Sequence, residues 1–263
     1  MRNKRKIGIV LEGGGAKGSY EIGVQRALNE LKIKYDYVVG TSIGALNAVS
    51  YVLNENEKYS HMWSKMNFNF KNNQGNENIK QKQLTLKDLV QDIELYENEY
   101  LNSKGIDPSG LIEMLKNNID EDAVRSAKIN YGLTTYCITD KKPLYLFLND
   151  IPYGQLHEFI FASCNLPVFT PRPINNKYYV DGSYFSRLPI DMLIEKELDV
   201  LITVRLRADK FDFSKYKNIK IIDIAPNEFL SDTLKADQDR IVWMMNKGYE
   251  DAIKILNENI SLL

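Results

Sequence analysis

The chain has 263 residues, 44% hydrophobic and 26% charged, ordinary proportions for a soluble globular protein of one large or two small domains. Its 34 basic and 35 acidic residues leave a formal net charge of -1, so no bulk field favours nucleic acid, and no nucleic-acid partner is expected. Two cysteines, Cys137 and Cys164, are too few for a disulfide framework and read as buried free thiols in a reducing compartment. No stretch approaches the ~20 apolar residues of a membrane span, and the apolar run after MRNKRK is too short for a signal peptide. The expectation is a cytoplasmic protein.

Lys6–Leu11 reads as a buried strand that runs into the glycine-rich stretch EGGGAKGSYEIG. Ser19–Leu31 reads as a helix with Ser19 as its N-cap. Asp36–Val39 is a second strand, and Gly44–Leu53 is a helix of small residues suited to close packing on a sheet. This order opens a parallel α/β sheet. Asn67–Gln83, rich in Asn, Gln and Lys, reads as a mobile loop or lid, or else as a solvated insertion. Leu84–Ser126 is predicted helical with a break near Gly105–Pro108. Ile129–Thr139 and Pro143–Leu148 are predicted to form a hairpin through Asp140, Lys141 and Lys142. Tyr153–Ser163 is a predicted helix, Lys177–Val180 a strand ending on Asp181, and Pro189–Glu197 another helix. Val200–Val204 and Ile219–Ile224 are predicted strands. Asp232–Asn259 carries Leu234, Ile241, Met245, Tyr249, Ala252, Leu256 and the following Ile260 at helical spacing, a stripe that packs on the sheet or, as the minority reading, faces a membrane.

Gly13, Gly15 and Gly18 spell G-x-G-x-x-G, the pattern of a dinucleotide-binding loop. That fold wants an acidic residue at the end of the second strand. Here the strand ends on Gly40-Thr41-Ser42-Ile43-Gly44, a G-x-S-x-G between a strand and a helix. This is the setting of a nucleophile elbow: Gly40 and Gly44 make room for the sharp turn that exposes Ser42. A serine nucleophile needs backbone N–H groups for the developing oxyanion. The Gly13-Gly14-Gly15 loop, free of side chains, can present them. Of the two histidines, His61 and His157, neither comes late enough in the chain for the usual serine–acid–histidine order. The remaining base candidate is Asp181, followed by Gly182 and placed at a strand end as Ser42 is. An ordinary Asp-Gly turn is the competing reading.

These stretches, with Ala162-Ser163-Cys164-Asn165-Leu166-Pro167 before the Asp181 strand, resemble the patatin-like phospholipase family over about Lys6 to Glu195. The resemblance implies a three-layer α/β/α sandwich around a mostly parallel sheet. Residues 7–195 would form the catalytic domain, with 196–263 completing the same globular unit. It implies hydrolysis of lipid acyl esters (of phospholipid or lysophospholipid) without metal or cofactor, with transient contact at a membrane surface. Ser42 falls at the nucleophile, Asp181 at the proton acceptor, and Gly13, Gly14 and Gly15 at the oxyanion hole; Gly18, Gly40, Gly44 and Gly182 support the motifs. Lys17 takes the family's basic position, where it holds the loop or attracts a phosphate headgroup; a solvated surface lysine is the alternative. Ser183, Arg187 and Asn165 depart from the family pattern. Ser183 is expected to add a hydrogen bond near Asp181, and Arg187 to lower that carboxyl's pKa if it reaches it. Lipid acyl transfer at the same site, or a catalytically silent lipid-binding module, remain open, as does the oligomeric state.

Overall fold

The structure, a computed structural model, describes residues 5–66, 68–69, 107–166 and 169–263. The elements in order are β1 (Ile7–Leu11), α1 (Ser19–Glu30), β2 (Tyr37–Thr41), α2 (Ile43–Leu53), α3 (Asn56–Lys65), β3 (Phe68–Asn69), α4 (Ser109–Asn118), α5 (Glu121–Ser126) and β4 (Asn130–Cys137). There follow β5 (Lys142–Phe147), α6 (Leu156–Ser163), β6 (Tyr179–Asp181), β7 (Val200–Val204), β8 (Lys220–Ile224), β9 (Lys235–Ala236) and α7 (Gln238–Glu258). Apart from Phe68 and Asn69, the Asn-rich segment expected as a lid lies outside the described residues, as do residues 84–106 of the stretch Leu84–Ser126 expected to be helical.

The main sheet runs β5-β4-β2-β1-β7-β8, with β6 also on β4. β4, β2, β1, β7 and β8 are parallel, and β5 and β6 run antiparallel to β4. Every residue of β1 and β7 is buried, which is why both read as nearly continuous apolar runs, with Thr203 as the one polar residue, rather than alternating ones. One face carries the α-helices: Ile9, Leu11, Val38 and Leu133 pack there with residues of α1, α2, α6 and α7. The other face, with Val10, Val39 and Leu201, is covered by Leu188, Ile190, Met192 and Leu193. This is the three-layer arrangement, and the covering segment, expected as a helix over Pro189–Glu197, is a 3-10 helix at Ile190–Lys196. Three residues per turn place the fully buried Ile190 and Leu193 in one line against the sheet.

Two boundaries differ from the sequence reading. Ser19 is not the N-cap of α1; it is the first helical residue, and its Oγ donates back to the Ala16 carbonyl at 3.3 Å. The C-terminal helix starts at Gln238, not Asp232. Lys235–Ala236 first pairs with β3, and the Asp237 side chain then caps the helix by accepting from the Arg240 N–H at 2.8 Å. The stripe of α7 is buried at Ile241, Met244, Ala252 and Leu256, so this face packs inward and the membrane-facing reading fails. Its contact with α1 is backbone-close: a Cβ at Gly23 would strike the Met245 carbonyl, and one at Gly248 the Tyr20 carbonyl. No helix of the described residues is long and apolar enough to cross a membrane.

Candidate active site

The sheet register brings the two candidate groups together. β2 pairs with β4 as far as Thr41 opposite Thr134 and then turns away. β4 runs three residues further, and β6 takes over that edge with Asp181 opposite Thr135. Ser42, one residue past β2, therefore meets Asp181, 139 residues later in the chain. The junction is tied by Thr41 Oγ1, 2.8 Å from Thr134 Oγ1, and by Thr135 Oγ1, which donates to the Val180 carbonyl at 2.8 Å.

Ser42 has φ 56° and ψ -126°, a backbone conformation that costs a non-glycine residue on the order of 1–3 kcal/mol. The surroundings enforce it. A Cβ at Gly44 would lie 2.7 Å from the Leu11 carbonyl oxygen, and one at Gly40 would strike the backbone of Gly44. α2 can begin at once after β2 only with glycine at both places. Ser42 N–H donates to Ser163 Oγ at 2.8 Å, and the Ser42 carbonyl accepts from Ala45 N–H at 2.8 Å. The side chain thus sits at the N-terminus of α2, where a developing negative charge is favoured.

Ser42 Oγ donates to Asp181 Oδ2 at 2.5 Å. Asp181 is 5% exposed, and its Oδ1 accepts from Ser183 N–H at 2.7 Å. Burial raises its pKa to about 6, against the opposing hydrogen bonds from Ser42 and Ser183. The expected contribution of Ser183 is present. The expected influence of Arg187 is absent: that side chain turns instead toward Glu12, with Nη1 3.7 Å from Oε1. Asn165 holds the Asp181 strand from behind, accepting from Asp181 N–H at 2.9 Å and donating to the Tyr179 carbonyl at 2.7 Å. A Cβ at Gly182 would strike Thr134, so the Asp-Gly turn sits flush against β4.

Of the Gly13–Gly15 loop, Gly13 N–H is already committed, donating to the Arg187 carbonyl at 2.8 Å. Gly14 and Gly15 N–H, by contrast, make no hydrogen bond among the described residues. Gly15, at φ +58°, lies against Thr233, and Leu206 covers Gly14. Lys17 is no surface lysine. It is 7% exposed, its Nζ donates to Thr233 Oγ1 at 3.1 Å, and burial together with Arg207 lowers its pKa to about 8.

Beside Ser42 and Gly15 opens an apolar cavity of about 120 Å³ walled by Ile43, Leu46, Met114, Leu115, Phe161 and Phe169. Cys164 also lines it, with a thiol pKa pushed well up by burial, so it is unsuited to thiolate chemistry. A larger groove, about 350 Å³, lies between α1, α3 and α7 and includes neither Ser42 nor Asp181. His61 lines that groove, and His157 Nε2 sits 2.8 Å from the Ile119 carbonyl oxygen; neither reaches Ser42.

Sequence reasoning missed the support behind the elbow. Asn47, fully buried on α2, donates to the Gly18 carbonyl at 2.8 Å and to Glu21 Oε2 at 2.7 Å, and accepts from Trp63 Nε1 at 3.0 Å. Burial raises the Glu21 pKa well above its usual value. One amide thereby joins the end of the glycine loop to the helix that begins directly after Ser42. The only signal was an amide and an acid on faces that were otherwise apolar. Asn47→Leu should strand these partners and lower stability by about 2–4 kcal/mol in urea unfolding; a loss below ~1 kcal/mol would refute the role.

Residues 9–194 match the family model described as patatin-like phospholipase. The chain is 25% identical over 214 residues to patatin-like phospholipase domain-containing protein 7 of Rattus norvegicus, covering 80% of this chain and 14% of that one. It is 27% identical over 122 residues to the probable lipid hydrolase 463L of Invertebrate iridescent virus 6, covering 41% of this chain and 42% of that one. It thus spans well under two thirds of either relative. Human GIVD cytosolic phospholipase A2 superposes with a TM-score of 0.55 at 10% identity, over 98% of this chain and 59% of that one. VipD from Legionella pneumophila does so at 0.50 and 15% identity, over 97% and 67%. At such identities the likeness is one of fold. The family match covers most of the chain and includes both strand ends that meet at Ser42 and Asp181: this chain belongs to the patatin-like phospholipase family.

Proposed function

We propose that the protein is a serine acyl hydrolase acting on lipid esters through a Ser42–Asp181 dyad. The observation that carries this reading is the 2.5 Å hydrogen bond from a strained serine to a buried carboxylate. Ser42 Oγ attacks the ester carbonyl carbon as its proton passes to Asp181 Oδ2. The carbonyl oxygen becomes negative and is met by the Gly14 and Gly15 N–H groups, with the N-terminus of α2 behind Ser42. Collapse of the tetrahedral intermediate breaks the C–O bond, and the leaving alcohol takes the proton from Asp181. Water, deprotonated by the same carboxylate, then releases the fatty acid and restores Ser42. The apolar cavity beside Ser42 suits the acyl chain.

Incubation of the purified protein with phospholipids, lysophospholipids and neutral glycerides should release free fatty acid. An added alcohol or lysolipid separates hydrolysis from acyl transfer. Correctly folded protein that cleaves no ester and takes no fluorophosphonate label would sink the reading and favour a silent lipid-binding module.

A further inference from the structure

Beside the glycine loop, two guanidinium groups stand without hydrogen bonds among the described residues. The Arg187 carbonyl accepts from Gly13 N–H, and Arg207 follows Leu206, the residue that covers Gly14, so both arginines are anchored to the loop itself. Among the described residues their charged groups meet only distant carboxylates. Arg187 Nη1 is 3.7 Å from Glu12 Oε1, Arg187 Nη2 is 4.0 Å from Asp209 Oδ2, and Arg207 Nε is 4.0 Å from Glu12 Oε1. None of these is a hydrogen bond. Arg187 Nη1 is moreover buried without a hydrogen-bond partner among the described residues.

Neither carboxylate is free to close the gap. Glu12 is 3% exposed, and its Oε2 is engaged by Leu206 N–H. Asp209 is held more closely by Arg205 Nη1, at 3.3 Å; Arg205 itself is satisfied by Asp223. The two arginines and Lys17 also repel one another: burial and then Arg207 lower the Lys17 pKa, and burial and then Arg187 lower that of Arg207. Side chains 31% and 41% exposed remain within reach of a ligand. Two planar forks with unused N–H donors match the tetrahedral oxygens of a phosphate, which arginine binds in bidentate fashion.

We propose that Arg187 and Arg207 form a binding site for the phosphate of a lipid headgroup that carries net negative charge, and that they set a preference for anionic over zwitterionic and neutral lipids. The idea rests on the lipid-ester reading above, in which the ester lies at Gly14 and Gly15, on the loop to which both arginines are anchored.

Binding without turnover tests it separately from hydrolysis. Calorimetry on the Ser42→Ala protein uses three probes: dihexanoyl glycerol 3-phosphate, dihexanoyl glycerophosphocholine, each kept below its micelle concentration, and inorganic phosphate. The phosphate monoester lipid should bind about tenfold or more tighter than the choline lipid, the size expected from charge-assisted hydrogen bonds. Arg207→Gln and Arg187→Gln should each reduce that preference to within about twofold. Arg207 is the more exposed, so Arg207→Gln keeps the test if the Arg187 variant does not fold. Equal binding of the two lipids, or a preference that survives Arg207→Gln, overturns the proposal. Inorganic phosphate binding as tightly as the lipid overturns the headgroup assignment. A protein that cleaves no ester yet shows the Arg207-dependent preference would refute only the catalytic reading.

Discussion

Replacing Ser42 with alanine should lower ester turnover by on the order of 10⁴-fold or more and abolish fluorophosphonate labelling, because it removes the hydroxyl that donates to Asp181 Oδ2 at the strained turn. The residual rate would come from the donors and the cavity alone. The fold should persist, since alanine meets the same backbone requirement as serine at φ 56°. Ser42→Gly separates strain from chemistry. It should be equally inactive and yet unfold at higher denaturant, by about 1 kcal/mol, since glycine relieves the positive φ. An inactive, stabilised glycine variant is the signature of strain kept for function. Wild-type-like turnover in Ser42→Ala would end the serine mechanism outright.

Asp181→Asn should remove most of the turnover, about 10²–10⁴-fold, while keeping the hydrogen bond to Ser42 with the amide in place of the carboxylate. Its pH behaviour is the sharper test. The base works only when ionised, so wild-type kcat/KM should rise with pH around a midpoint near pH 6, the value to which burial raises Asp181. The stability effect has the opposite direction. The folded pKa of about 6 exceeds the ordinary value of 3.8, so between these values the folded state holds more protons than the unfolded one. Stability from this group is complete below about pH 3.8 and is lost as pH rises through 6. The two-unit difference corresponds to about 3 kcal/mol. Asp181→Asn should therefore gain stability relative to wild type across that window and hold the gain above it. An asparagine variant that keeps the pH 6 midpoint in its residual activity, or that loses stability at pH 8, would show that Asp181 is not the titrating base.

The strands were legible because burial on both sheet faces demands nearly continuous apolar runs, and β1 and β7 have them. The elbow was legible because Gly40 and Gly44 flank Ser42 at a strand-to-helix junction that few other residues permit. The 3-10 geometry of Ile190–Lys196 was not, since a seven-residue segment with buried Ile190, Met192 and Leu193 carries no period that separates it from an α-helix. The start of α7 was not either, because it depends on the pairing of Lys235–Ala236 with Phe68–Asn69 far back in the chain.

By itself the sequence determined the local conformations: where a strand must end, where only glycine fits, and which hydroxyl stands at a helix N-terminus. Only the tertiary structure decided which groups meet. β4 outruns β2 by three residues, so β6 can dock beside the elbow and set Asp181 against Ser42. The same packing commits Gly13 N–H to the Arg187 carbonyl, leaves the Gly14 and Gly15 N–H groups without hydrogen bonds among the described residues, buries Lys17, and turns the Arg187 side chain toward Glu12. The reason is physical. Local backbone preference acts over a few residues, whereas a hydrogen bond between residues 139 apart, and the burial that raises a carboxyl's pKa, exist only once the sheet has set its register.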